Sequence, residues 1–166
     1  MSDYKRVSLF IFLLVVLSVA IVYMVFSLNP LENSILNAGN GIANGDKDYN
    51  DAVNLINNKS YDEALNKALS ASDNYNKTLI ELSDIQNNRS ENFNNIHKEY
   101  ISTTINEVEL KNDAASDLSH AIYYFKNNNN STGSSYGSEA NYLMDEAIEY
   151  QNARNALVED NPNLFR

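Results

Sequence analysis

The 166-residue chain contains no cysteine and no tryptophan, and only two prolines and five glycines. Without cysteine it can build no disulfide scaffold, thiolate-held zinc site, iron–sulfur cluster or thiol catalyst. The same absence fits any redox compartment. Cations are also scarce: 12 Lys and Arg stand against 22 Asp and Glu, for a net charge of −10. Nucleic-acid binding needs cations to neutralise phosphates, so that class is excluded, and docking on an anionic lipid surface is disfavoured for the same reason. Bulky aliphatic side chains are thin over most of the length. From Asn29 to Arg166, Leu, Ile, Val and Phe make up 28 of 138 residues, close to the one-fifth level at which a folded core becomes hard to sustain. What is abundant is asparagine, with 28 copies, a bias expected of an AT-rich prokaryotic genome.

The apolar residues are concentrated at the start. From Val7 to Leu28, 19 of 22 residues are apolar and none is charged. As a helix this run spans about 33 Å, enough for a hydrocarbon core of ~30 Å. The expectation is a single transmembrane helix over 7–28, acting as an uncleaved signal-anchor. Ser18-Val19-Ala20 could imitate a signal-peptidase site, but Ile21 to Leu28 carries the apolar run past it. The basic tip Lys5-Arg6 before a long apolar run resembles a type IV pilin start, from which Arg6 and Ile11 depart. Lys5 and Arg6 precede the run, and the first charges after it include Glu32, Asp46 and Asp48. The positive-inside rule then puts residues 1–6 in the cytoplasm and the acidic body outside the cell membrane. A juxtamembrane helix or linker (29–47), an extracytoplasmic helical domain (48–160) and a short tail (161–166) complete the expected organisation.

The body reads as all-α, an elongated antiparallel helical bundle or long helical hairpin, because no period-two pattern occurs. Asn29-Pro30 signals a helix start. Leu31, Ile35, Ala38, Ile42, Gly45, Tyr49, Ala52 and Ile56 then recur at spacings of three and four. Gly39, Gly41 and Gly45 weaken this stripe by about 0.8–1 kcal/mol each, which leaves the conformation of 38–46 open. After a turn at 57–60, a coiled-coil-like stripe of Tyr61, Leu65, Ala68, Ser72, Tyr75, Leu79, Leu82 and Gln86 predicts a helix packed through Leu79. A break at 87–90, with Ser90 as cap, leads to a helix reaching Lys126. Asn127 to Gly137 reads as a loop, and a last helix ends before Asn161-Pro162.

Residues 51–71 resemble part of a tetratricopeptide repeat through Ala52, Tyr61, Ala64 and Ala71. Lys59 stands where that family usually has a turn glycine, Ala68 replaces its large aromatic, and the ~34-residue period does not recur. The resemblance implies a peptide-binding helical hairpin; convergent hairpin packing explains the same residues.

Candidate chemistry is sparse. Asp117 and His120 lie three apart, with Asp113 one turn earlier, and His97 has no acidic residue three before it. One Asp-x-x-His falls short of the repeated Glu-x-x-His set of a di-metal bundle, and a solvated face is the expectation. No phosphate loop or nucleophile elbow is present. Asn58, Asn76, Asn88, Asn129 and Asn130 open Asn-x-Ser/Thr sequons, about the number that chance supplies in so Asn-rich a chain. The functional expectation is therefore a non-catalytic, membrane-anchored interaction or envelope-structure module. It would have no catalytic, cofactor-binding or metal-binding residue and no cofactor. Its partners would be lipid around 7–28, an unidentified protein and, potentially, a second copy. The alternatives are a ligand-sensing bundle with a membrane partner, or the tetratricopeptide-like hairpin.

Overall fold

The computed structural model describes residues 30–88 and 93–165, with side chains from Ser34 onward. The chain divides into two compact units, Met1–Asn33 and Ser34–Arg166, and the account below concerns the second. The apolar run 7–28 lies outside the described residues. Among the described residues, no helix is long and apolar enough to cross a membrane.

Four helices hold 90% of the described residues, and none of these residues is in a strand. They are α1 (Pro30–Asn57), α2 (Tyr61–Asn88), α3 (Asn95–Lys126) and α4 (Asn130–Asp160). Helix α1 buries Ala38, Ile42, Gly45, Tyr49 and Ala52, the same three-and-four stripe that its sequence carries. The glycine-rich stretch is helical throughout, and packing explains why. A Cβ on Gly41 would stand 2.1 Å from Thr78 Oγ1, and one on Gly45 would stand 2.3 Å from the Tyr75 ring. The two glycines lie four apart on one face, so their lost helix propensity is exchanged for close approach of α2. Gly39, by contrast, faces open space.

The turns are built alike at two of the three connections. At the end of α1, Ser60 N–H donates to the Leu55 carbonyl and Lys59 N–H to the Ile56 carbonyl. At the end of α3, Asn129 N–H reaches the Tyr124 carbonyl and Asn128 N–H the Phe125 carbonyl. Both are Schellman motifs, which need a left-handed residue after the cap. Lys59 (φ 60°) and Asn128 (φ 59°) fill it. Lys59 thus occupies a position that favours glycine for a conformational reason.

Three expectations are corrected here. The segment after Asn127 is not a loop to Gly137. Helix α4 begins at Asn130, because the Asn129 side chain accepts the Thr132 N–H and Gly133 sits against the Phe125 ring. Helix α3 is capped by Asn94, whose side chain accepts the His97 N–H, while Ser90 lies outside the described residues. On α2 the buried stripe is Ala64, Ala68, Ala71, Tyr75, Thr78, Leu82 and Ile85. It is rotated from the expected one, so Leu65 and Leu79 are half-buried and Gln86 is exposed. The rotation arises because α2 packs on α1 and α3 together, and the strip facing both lies between the two single-neighbour stripes.

Helix α3 is the most buried element. Ile101, Val108, Ala114, Ala115, Leu118, Ala121 and Ile122 line its core side. Thr104 is buried, with its hydroxyl donating to the Tyr100 carbonyl (2.6 Å). Among the described residues, ten of the twenty buried apolar side chains are alanines, so close helix approach, not bulk, fills the interior.

Two glycine substitutions should therefore act in opposite directions in thermal or urea melts. Gly39→Ala should stabilise the bundle by about 0.5–1 kcal/mol through helix propensity. Gly45→Ala should destabilise it by about 1–3 kcal/mol through overpacking against Tyr75. Equal stabilisation by both would show that α1 and α2 are not in the register described. Leu82→Ala, at a fully buried site, should cost about 2–5 kcal/mol, and Leu79→Ala less.

Candidate functional site

The Gly45 contact sets the site in place. With the Tyr75 ring lying on Gly45, its hydroxyl reaches one residue further along α1 and donates to Asp46 Oδ1 (2.7 Å). The other oxygen of Asp46 accepts from Lys111 Nζ on α3 (2.9 Å). Lys111 is 2% exposed and Glu107, one turn before it, is 0% exposed. Glu107 Oε1 lies 3.0 Å from Lys111 Nζ, an ion pair outside hydrogen-bonding geometry. Its Oε2 accepts from Arg154 Nε on α4 (2.7 Å). Lys111 also donates to Gln151 Oε1 (3.3 Å), one helical turn from Arg154. Two carboxylates and two cations thus close a neutral cluster across α1, α3 and α4.

The electrostatics follow from this pairing. Burial works against the Arg154 cation, but the Glu107 charge and the Tyr100 hydroxyl outweigh it, and the guanidinium is held above its ordinary range. Burial, followed by the Asp46 charge and hydrogen bond, pushes the Tyr75 phenol far up, so it remains a donor.

Beside the cluster lies a cleft of about 190 Å³ lined by Asp46, Tyr49, Asn50, Lys111, Met144, Ile148 and Gln151. Tyr49 is 5% exposed, and its hydroxyl has no hydrogen-bond partner. Burial, then the negative charges of Asp117 and Asp145, push this phenol up to about 12. A second polar group of contacts is nearer the surface: Asp48 accepts from Lys67 (2.6 Å), Ser70 (2.6 Å) and Asn74 (3.3 Å). Burial opposes the Asp48 charge, yet the bonds from Lys67 and Ser70 and the charges of Lys67 and Lys47 hold its carboxyl below the usual range.

The residues singled out in the sequence do not converge. Asp117 Oδ1 and His120 Nδ1 are 3.8 Å apart, and the His120 ring lies against Tyr136. His97 lies near the other end of α3, 23 positions and about 34 Å away along the helix. Its Nε2 is 3.0 Å from the Leu164 carbonyl, and its ring meets Phe93 and Phe165 edge-on. Among the described residues, no group of three or more His, Cys, Asp or Glu could hold a metal ion. Of the sequon residues, Asn129 serves as a helix cap, and Asn76 accepts from Asn112 (3.1 Å). The residues that do converge, Asp46, Glu107, Lys111 and Arg154, had only one sequence signal. Glu107 and Lys111 have the i,i+4 spacing of a helix ion pair, which an exposed pair carries equally.

Residues 101–159 match the family model of the Pup-ligase protein. The match covers little more than a third of the chain. No curated protein and no solved structure matches. The family match overturns the expectation of a non-enzymatic interaction or envelope module, because the matched family is one of ligases. The single-pass, extracytoplasmic assignment rested on the run 7–28 and the charges that flank it. It too is corrected, on the ligase family match of 101–159; the run 7–28 itself lies outside the described residues.

Removing one member of the buried cluster should be expensive. Lys111→Met leaves Glu107 and Asp46 short of a cation and should cost about 3–5 kcal/mol in denaturant melts. A loss under 1 kcal/mol would mean that the cluster is hydrated. Tyr49→Phe removes a buried hydroxyl whose unpaired state costs about 1–3 kcal/mol, so the variant should be as stable as the parent or more so. The phenol of Tyr49 is raised from 10.0 to about 12. Its contribution is therefore fully present below pH 10 and lost as pH rises through about 12. The alkaline fall in stability between pH 9 and 12 should be shallower in Tyr49→Phe; an unchanged slope would count against the burial of this phenol.

Proposed function

We propose that this chain is a Pup-ligase-related protein whose α3–α4 hairpin binds Pup and takes part in its ligation. The observation that carries this reading is the extent of the family match. Residues 101–159 begin within the second turn of α3 and end one residue before the end of α4, so the similarity spans most of one helical hairpin. Chance similarity in an Asn-rich chain has no reason to respect such boundaries. The matched stretch also contains Glu107, Lys111, Gln151 and Arg154, so the charged cluster belongs mainly to the ligase-like part.

Ligation joins two molecules, and a helical hairpin suits the holding of one of them. Helix α4 buries only Gly133, Ala140 and Ala147, while Tyr142 and Ile148 remain 62% and 44% exposed. Such exposed apolar side chains can meet a protein partner.

The reading is tested by mixing the full chain with Pup, a candidate acceptor protein, a nucleoside triphosphate and Mg²⁺, and following products by intact mass. A covalent Pup adduct that needs the chain is expected. In parallel, Pup added to the labelled chain should shift α3–α4 resonances and leave those of the α1–α2 turn in place. Absence of both adduct and shift would reject the assignment.

A further inference from the structure

Helix α1 joins its glycine contacts to a reactive sequence. Of the 28 asparagines, only Asn40 and Asn44 are followed by glycine. Those glycines are Gly41 and Gly45, the two through which α2 approaches. Asparagine before glycine is the setting most open to attack on its own side chain, because no Cβ on the next residue hinders the approach. The glycine backbone nitrogen attacks the asparagine side-chain carbonyl carbon and closes a five-membered succinimide. The proton of that nitrogen leaves with the side-chain NH₂ as ammonia. Water then opens the ring at either carbonyl. One opening gives aspartate. The other gives isoaspartate, in which the chain runs through the former side chain and gains one backbone methylene.

In the folded bundle the helix, not burial, holds this reaction back. Both asparagine side chains are exposed, so water and base reach them. Gly41 and Gly45, however, lie in the interior of α1. There each backbone N–H is bonded to the carbonyl four residues back, and φ and ψ are fixed. The attacking nitrogen is engaged, and it cannot swing onto the preceding side chain unless the helix opens. This stretch also has low helix propensity, since Gly39, Gly41 and Gly45 all fall in it. The contacts of Gly41 with Thr78 and of Gly45 with Tyr75 offset that weakness.

The product bears on the same contacts. A methylene inserted between residues 44 and 45 breaks the helical spacing where the Tyr75 ring lies on Gly45. It also lies just before Asp46, whose carboxylate takes Tyr75 and Lys111. An insertion between residues 40 and 41 falls in the same way at the Thr78 contact. A chain so altered no longer presents Gly41, Gly45 and Asp46 to α2 and α3 in one register.

We propose that Asn40 and Asn44 are conformation-gated deamidation sites, silent while α1 is packed and converted when α1 leaves the bundle. The isoaspartyl product cannot return, so α1 keeps a one-way record of its own opening. The sites lie outside residues 101–159 and stand independently of the ligase reading.

The test holds the full chain in mildly alkaline buffer, with and without urea, and follows conversion at each asparagine by peptide mapping. Conversion at Asn40 and Asn44 should be at least about tenfold faster in urea, because the folded rate is cut to the fraction of time that α1 is open. The aged chain is then returned to buffer, separated by charge and melted. Two variants separate the causes. In Asn40→Gln/Asn44→Gln the ring would need six members, so this chain should survive the same urea treatment and refold fully. Freshly prepared Asn40→Asp/Asn44→Asp carries the new charges on a normal backbone, and should melt well above the isoaspartyl fraction of the aged parent. Equal conversion with and without urea would show that α1 is no gate. An isoaspartyl fraction that melts like the aspartate variant would show that the added methylene does not disturb the contacts. Either result would overturn the proposal.

Discussion

Everything in this bundle is arranged around the burial of Glu107 and Lys111. Taking a carboxylate and an ammonium out of water costs several kcal/mol each, which a single contact between them rarely returns. The pair is tolerable only because Arg154 comes from α4 and Asp46 from α1, each with hydrogen bonds to spare. Three helices must therefore stand in one register. Slip α4 by a turn and Arg154 leaves Glu107; slip α1 and Asp46 leaves Lys111. Apolar residues of similar volume could fill this space at equal or better stability, but they would accept neighbouring registers that the ion cluster rejects. In a core half built from alanine, where one alanine looks much like the next, that discrimination has to come from polar groups.

The cluster in turn depends on small residues. Tyr75 reaches Asp46 only because Gly45 lets its ring lie against the α1 backbone. Gly41 admits Thr78 one turn earlier, and Gly133 admits Phe125 at the α3–α4 junction. Ala52, Ala64, Ala68 and Ala71 are all fully buried around the α1–α2 hairpin. A chain poor in large aliphatic residues can fold this way because dispersion depends on contact distance as much as on side-chain size. The tetratricopeptide-like residues are part of the same solution: small residues at a helical-hairpin contact, with a left-handed turn residue between the helices.

The extent to which this was legible in the sequence varies by element. The α1 stripe was readable because its apolar residues recur at three and four; the low helix propensity of Gly41 and Gly45 concealed that these two were contacts. On α2, three-and-four spacing was visible but its phase was not. Leu65 and Leu79 drew the stripe toward large residues, while the observed strip follows Ala64, Ala71 and Thr78, which look unremarkable in a list. The 127–137 stretch failed for a different reason. Its Ser, Thr and Gly composition favours a loop, and only the Phe125 ring against Gly133 and the Asn129 cap show why it is helical. The candidate site was the least legible part. Asp46, Glu107, Lys111 and Arg154 are spread over 109 positions, and ordinary charged residues carry no local mark of being buried together. His120 attracted notice by its spacing from Asp117, and the fold places the two histidines near opposite ends of α3.

The ligase-like match and the cluster have different boundaries, and the difference has a consequence. Within 101–159 the cluster consists of Glu107, Lys111 and Arg154, one negative charge against two positive. Asp46 supplies the missing charge from α1, outside the match. A hairpin of this sequence standing alone would leave a net positive charge in a largely apolar setting, and would have to hydrate the site or lose its register. Helix α1 is thus the element that makes this hairpin viable in a folded body. It also contributes Tyr49 and Asn50 to the cleft, so the polar groups of the cleft and the neutrality of the cluster have a common origin. Any partner that drew α1 away would expose Lys111 and open the cleft in one movement. The site is therefore coupled to the α1–α2 hairpin, although the similarity to a known family stops short of it.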